Sequence, residues 1–268
     1  MFNLLSAEFY KWKKSKSFKV SCIVAVAVIM FIYFSFEMAE QIQNGQIENG
    51  TGGVTVTGDV TQIQILDVVS EVTSGGTNHM FIGVFICIWV VSEFSHGAIK
   101  NVAGKGYSRK KVFLSKYISS IISASVMNIL ILGSMAIVGA VTLGTEGIDV
   151  NFFKDFFSYV GMQTMFNISL TSIFVMICEF VRNTAFGISA NLGIITFSTL
   201  ITGGLNLLFQ RFDLDIKAST YWVLDLVAEC PMGAMDMDFI GRAISVTVMW
   251  TALSLVIGMV HFEKADIK

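Results

Sequence analysis

Residues 11–40 read KWKKSKSFKVSCIVAVAVIMFIYFSFEMAE. From Phe18 to Phe36 the only charge is Lys19, and the run is about as long as an α-helix needs to cross roughly 30 Å of hydrocarbon. Lys11, Lys13, Lys14 and Lys16 stand before it, while Glu37 and Glu40 follow. A basic flank, an apolar span and an acidic flank define a membrane helix whose N-terminal end faces the cytoplasm. A cleaved secretory signal fits less well, because the run has full span length and no small-x-small cleavage site follows it.

The same alternation repeats along all 268 residues. Five further apolar runs follow: Met80–Val91, Tyr117–Leu143, Phe156–Phe180, Ala185–Phe209 and Phe239–Phe262, six in all. The run at Met80 is short and must borrow Glu93 and Phe94 at one end and residues before His79 at the other. Fourteen of the 18 Lys and Arg residues fall in alternate segments, and 15 of the 20 Asp and Glu fall in the others. Both termini are therefore expected in the cytoplasm. With 54% hydrophobic and 14% charged residues, the expected fold is all-α: one polytopic membrane domain over 1–268 with six transmembrane helices.

The segments between the runs carry their own signals. In residues 1–17, Phe2, Leu5, Phe9 and Trp12 recur at helical spacing among Glu8, Lys11, Lys13 and Lys14, which predicts an amphipathic helix on the cytoplasmic membrane surface. An ordinary basic flank is the plainer alternative. The external loop 37–79 is Gly-rich at first; its β-branched stretches at Val54 and Val60–Val72 allow a small hairpin or cap. In the basic segment 93–116, Ala98–Ala103 reads as one short helix stopped by Gly104 and Gly106, with Ser108 as N-cap of the third span. Arg109, Lys110 and Lys111 in that span's first turn oppose its macrodipole, so some contact other than local helix stability must account for them. Within 210–238, Ala218–Cys230 is amphipathic, too short to cross, and stops before the only proline, Pro231. A helix dipping into the outer interface is expected. Arg242 either snorkels or meets Asp236 or Asp238.

Enzyme chemistry finds no residues to rest on. Gly104-Lys-Gly-Tyr-Ser lacks the spacing of a phosphate-binding loop, and neither a zinc-protease nor a serine-hydrolase motif occurs. The four cysteines form no CxxC pair and the three histidines stand at span ends, so no metal site is expected. Asn128, Gln163, Asn167, Asn191 and Asn206 are the amides inside or beside the spans; they serve either as interhelical glue or as the lining of a substrate path. Ser189/Gly193 and Gly241/Ser245 permit close helix approach.

Three places resemble one family. Leu4-Leu-Ser-Ala-Glu-Phe-Tyr-Lys-Trp-Lys13, then Glu93-Phe-x-x-Gly-Ala-Ile-Lys-Asn with Gly106-Tyr-Ser-Arg-Lys-Lys, and finally His261-Phe-Glu-Lys-Ala-Asp-Ile-Lys are similar, in that order, to the permease subunits of type-2 ABC transporters. The resemblance implies a type V exporter fold with 1–17 as an elbow helix, including Leu5, Phe9, Trp12 and Lys13. It implies a coupling helix at Gly97–Ala103 (Gly97, Ala98, Ile99, Lys100, Asn101) bracketed by Glu93 and Arg109. Glu179–Thr184, with Glu179 and Arg182, becomes a second turn touching the ATPase, and 210–238 an external re-entrant element.

It also implies partners: separate ATPase subunits that hold ATP and magnesium, a second permease copy or paralogue, and membrane lipid, but no nucleic acid. This chain itself is expected to bind no cofactor. Small permeases of this kind resemble those that remove lantibiotics or bacitracin, so a bacterial cell membrane and a hydrophobic or amphipathic cargo are expected. The competing reading is a non-transporting sensor or scaffold that binds a partner through its basic loop.

Overall fold

The computed structural model describes residues 2–49, 65–95, 107–142, 148–214 and 216–264. Among these the regular structure is all helical. The helices, in chain order, are α1 Phe2–Lys14, α2 Lys16–Asn49, α3 Ile65–Ser74, α4 Thr77–Ser95, α5 Arg109–Thr142, α6 Val150–Val181, α7 Thr184–Arg211, α8 Val223–Glu229 and α9 Met237–Lys264, with a 3-10 turn at Ala218–Tyr221 before α8. Five are long and apolar enough to cross a membrane: α2, α5, α6, α7 and α9. The expected second span is the exception. α4 does extend beyond Met80–Val91 at both ends, but its apolar part, Thr77–Ser92, falls short of span length.

Local chemistry sets these boundaries. Ser15 separates α1 from α2, its hydroxyl accepting from the Phe18 N–H at 3.3 Å, which caps the new helix. Phe9, Trp12, Phe18 and Phe85 then follow edge to face with centroids 6.3, 5.2 and 5.4 Å apart, tying α1 through α2 to α4. α1 buries Leu4 and Glu8, leaves Leu5, Phe9 and Trp12 half-buried, and exposes Lys13. Asp149 caps α6 by accepting from the Phe152 N–H at 2.8 Å, which also holds its carboxyl below the usual range.

Two expectations about the loop 37–79 are corrected. Helix α2 continues past Phe36 to Asn49, because Glu37–Gln43 are nearly all good helix formers. Ile65–Ser74 is helical where β-branched residues allowed a strand, since Val69, Val72 and Thr73, at helical spacing, are buried. The possible hairpin around Val54 lies outside the described residues. The α3–α4 reversal needs glycine: Gly76 has φ +72°, and a Cβ there would stand 2.9 Å from Ile195 Cγ2 on α7.

Helix α6 is the axle, with 61% of its span buried against 17% for α2 and α7. It packs chiefly against α9, α5 and α4. Lipid is as apolar as leucine, so apolar matter alone gives these helices little reason to associate; close packing and polar ties supply the specificity. Gly258 of α9 makes one such approach, where an added Cβ would sit 3.0 Å from the Phe113 ring of α5.

Candidate functional site

The end of the bundle where α5 begins and α6 and α9 finish is one connected surface. Helices α6 and α7 reverse over two residues: Arg182, in the left-handed region at φ 51°, bonds back to the Cys178 carbonyl, and the Asn183 side chain caps α7 by accepting from Ala185 and Phe186 N–H. Arg182 Nε also donates to the Glu179 carbonyl at 3.2 Å. Beside this turn, Phe180 stacks on His261 of α9 with centroids 3.9 Å apart. Arg109 Nη1 donates to the Glu263 carbonyl at 3.0 Å and Lys110 pairs with its carboxylate at 3.4 Å. Two of the three cations that oppose the α5 macrodipole thus hold the end of α9.

Of the residues expected to face an ATPase, Gly97, Ala98, Ile99, Lys100 and Asn101 lie outside the described residues. Glu93 is in the last turn of α4, and its side chain also lies outside the description. Arg109 is exposed, Arg182 is half-buried, and Glu179 is fully buried within α6. The α6–α7 turn therefore presents Arg182 and Asn183 outward and keeps Glu179 inside.

The amides divide into three kinds. Asn128 joins three helices: its Oδ1 accepts from Asn78 of α4 at 2.5 Å and its Nδ2 donates to Thr164 of α6 at 3.2 Å. Asn191 donates to the Gly83 carbonyl at 3.1 Å. Asn206 is half-buried near the C-terminal end of α7, where it accepts from Ala218 N–H at 2.6 Å and donates to Ser219 at 3.4 Å, fixing the start of the 3-10 turn. Gln163 and Asn167 differ from these. Both are wholly buried, and among the described residues the Asn167 amide has no hydrogen-bond partner. Gln163 lies against Tyr159 and Cys230 without a well-formed bond.

At the opposite end of the bundle, Ala218–Cys230 is a 3-10 turn and a short helix broken at Trp222, not one continuous helix. Val223, Leu224, Leu226 and Val227 are buried, and Trp222 meets Trp250 of α9 edge to face at 5.0 Å. Arg242 meets neither Asp236 nor Asp238 but pairs with Glu229 at 3.0 Å, because α8 ends directly over its side of α9. Burial pushes the Cys230 thiol up to about 12.

Several site residues escape a reading of the sequence. Asn78 and His79 look like a span boundary, yet both are fully buried. Tyr117 and Ser172 bond across α5 and α6 at 2.7 Å. The missed signal is position: a polar residue one turn inside a helix that other helices surround is as deep as one at mid-span.

No curated protein matches the chain. Residues 4–199, from the first turn of α1 into the C-terminal half of α7, match the family described as ABC-2 family transporter protein. That match covers well over half of the sequence, includes three of the five spans whole and ends within the fourth. The chain belongs to this family and is a multi-pass membrane protein of ABC-2 transporters.

Proposed function

We propose that the chain is the permease subunit of an ATP-driven exporter, pairing with a second copy or paralogue and with separate ATPase subunits that hold ATP and magnesium. Its cargo is a hydrophobic or amphipathic molecule such as an antimicrobial peptide or drug. α4 serves as the sixth span, both termini are cytoplasmic, α1 lies in the inner headgroup layer as an elbow, Gly97–Ala103 is the coupling helix, and Ala218–Cys230 is the re-entrant element.

The observation that carries this reading is the uneven burial of the spans. α7 exposes Phe197, Leu200, Ile201, Leu205 and Leu208, and an added Cβ at Gly193, Gly203 or Gly204 would meet nothing within 4 Å. Glycines on an outward face cost helix stability and gain nothing within this chain; they suit a second copy that approaches closely. The span interiors supply amides and hydroxyls beside Phe and Met, a lining that holds apolar cargo by many weak contacts and a few hydrogen bonds.

Co-expression with an ATPase subunit encoded beside it tests the reading. The two should co-purify, amphipathic peptides should stimulate ATP hydrolysis, and Ile99→Asp or Gly97→Pro should uncouple hydrolysis from transport. Stimulation by ions or sugars alone refutes the cargo. Failure to bind any ATPase leaves the sensor or scaffold reading.

A further inference from the structure

Two thiols meet inside the bundle. Cys87 of α4 and Cys178 of α6 meet in front of the same residue, Gly187, although 91 residues separate them in sequence. The contact sits in a short polar chain: Asn191 Nδ2 donates to Cys178 Sγ at 3.6 Å, and Cys87 Sγ donates to the Thr184 carbonyl at 3.5 Å. Gly187, in the first turn of α7, makes the space. A Cβ there would lie 2.5 Å from Cys87 Sγ and 3.7 Å from Cys178 Sγ, so any other residue would push the sulfurs aside. The other two cysteines stand apart, Cys22 half-buried on α2 and Cys230 at the outer side.

Both sulfurs are wholly buried, which excludes bulky disulfides and charged oxidants and leaves small neutral ones. We propose that Cys87 and Cys178 form a dithiol site at which hydrogen peroxide closes a disulfide between α4 and α6. One thiolate attacks a peroxide oxygen, breaking the O–O bond to give a sulfenic acid and, with the proton it shed, water. The second sulfur then displaces the sulfenic oxygen, which leaves as a second water, and the S–S bond forms. Two thiols are oxidised to one disulfide while one peroxide is reduced to two waters. The neighbouring thiol intercepts the sulfenic acid before further oxidation.

The bridge joins α4, which leads into the segment 96–106, to α6 one turn before the Arg182 reversal. Oxidation therefore fixes these inner ends relative to one another.

The test uses the full chain in lipid nanodiscs, treated with hydrogen peroxide, denatured, and tagged on free thiols with a maleimide of known mass. The four cysteines should give four tags before treatment and two after it. Peptide mapping should link Cys87 to Cys178, and a reductant should restore all four tags. Gly187→Ala should slow or abolish closure while tagging of Cys22 and Cys230 persists. Four tags at every peroxide dose that leaves the chain folded overturn the site. So does recovery of Cys87 and Cys178 as separate oxygenated acids.

Discussion

Arg109, the first residue of α5, donates to the backbone carbonyl of Glu263 in the last turn of α9, so the start of one helix and the end of another are held by one 3.0 Å bond. Lys110 reinforces it through the Glu263 carboxylate. A helix end has unsatisfied carbonyls that welcome a cation, and here the cation comes from a helix start that gains nothing electrostatically from carrying it. The arrangement makes sense only at the level of the bundle, where it closes the ends of α5, α6 and α9 into one face.

Because both side chains are exposed, that closure contributes little to global stability, on the order of 1 kcal/mol or less. Arg109→Ala with Lys110→Ala should leave the melting temperature within a few degrees of the parent. The same variant should weaken the coupling of ATP hydrolysis to transport, since α9 is released from α5. A large melting shift with coupling intact contradicts this account; both readouts come from one preparation.

The Asn78–Asn128–Thr164 bonds make a sharper thermodynamic claim, because they join α4, α5 and α6 where water is scarce. Replacing one amide leaves its partner buried with fewer bonds, so Asn78→Leu or Asn128→Leu alone should destabilise by about 1–3 kcal/mol. The pair together should cost less than the sum, with a coupling of about 0.6 to 1.7 kcal/mol, as for hydrogen bonds between membrane helices. A double-mutant cycle on unfolding in detergent measures it. Strict additivity denies the bond.

Much of the fold was legible because charge and hydropathy act over whole segments. The runs at Phe18, Tyr117, Phe156, Ala185 and Phe239 all became membrane-length helices, and the short run at Met80 did extend on both sides. What misled was local. β-branched residues at 60–72 allowed a small hairpin or a packed cap, and tertiary burial of Val69 and Val72 made 65–74 a helix. Partners at long sequence separation were not readable at all: nothing near Arg242 names Glu229, and nothing near Cys87 names Cys178. The candidate site was legible as a set of residue types, while hydrogen bonds to partners on other elements are what separated the structural amides Asn128, Asn191 and Asn206 from Gln163 and Asn167.

Gly76 tests the outer reversal. Its positive φ and the 2.9 Å approach of Ile195 to a Cβ both oppose a side chain, so Gly76→Ala should destabilise by about 1 kcal/mol or more. Gly133, inside α5 with open space around it, is the contrast, and Gly133→Ala should be neutral or slightly stabilising because alanine is the better helix former. Melting curves of the two variants should fall on opposite sides of the parent. Equal effects would mean that the reversal is not held as described.

Asn167 separates stability from function. Its amide is buried with no partner among the described residues, so it forfeits about 1–3 kcal/mol of desolvation without return. Asn167→Leu should therefore raise the melting temperature. If the residue is kept for cargo, the same variant should blunt stimulation of the ATPase by amphipathic peptides more than it changes basal turnover. A variant that is both less stable and normally stimulated would count against both halves of this reasoning.

Asp225 gives a pH dependence whose sign is fixed. It stands in the first turn of α8 with Oδ2 buried and unbonded; burial raises its pKa first, the Glu229 charge adds to that, and the Thr202 hydroxyl opposes it. A carboxyl whose native pKa lies above its unfolded value holds its proton more tightly in the folded chain. Its contribution to stability is complete below the ordinary carboxylate pKa, about 4, and is lost as pH rises through the raised native value. Melting temperature should thus fall as pH rises from about 4 toward neutrality, to the extent Asp225 governs it. Asp225→Asn, which cannot ionise, should flatten that slope and melt higher than the parent at neutral pH. The neighbouring Glu229→Gln should shift the slope to lower pH, because the like charge is removed, while also releasing Arg242 from its 3.0 Å pair. Parallel profiles for the parent and Asp225→Asn would show that the carboxyl is solvated and that the outer element does not bury it.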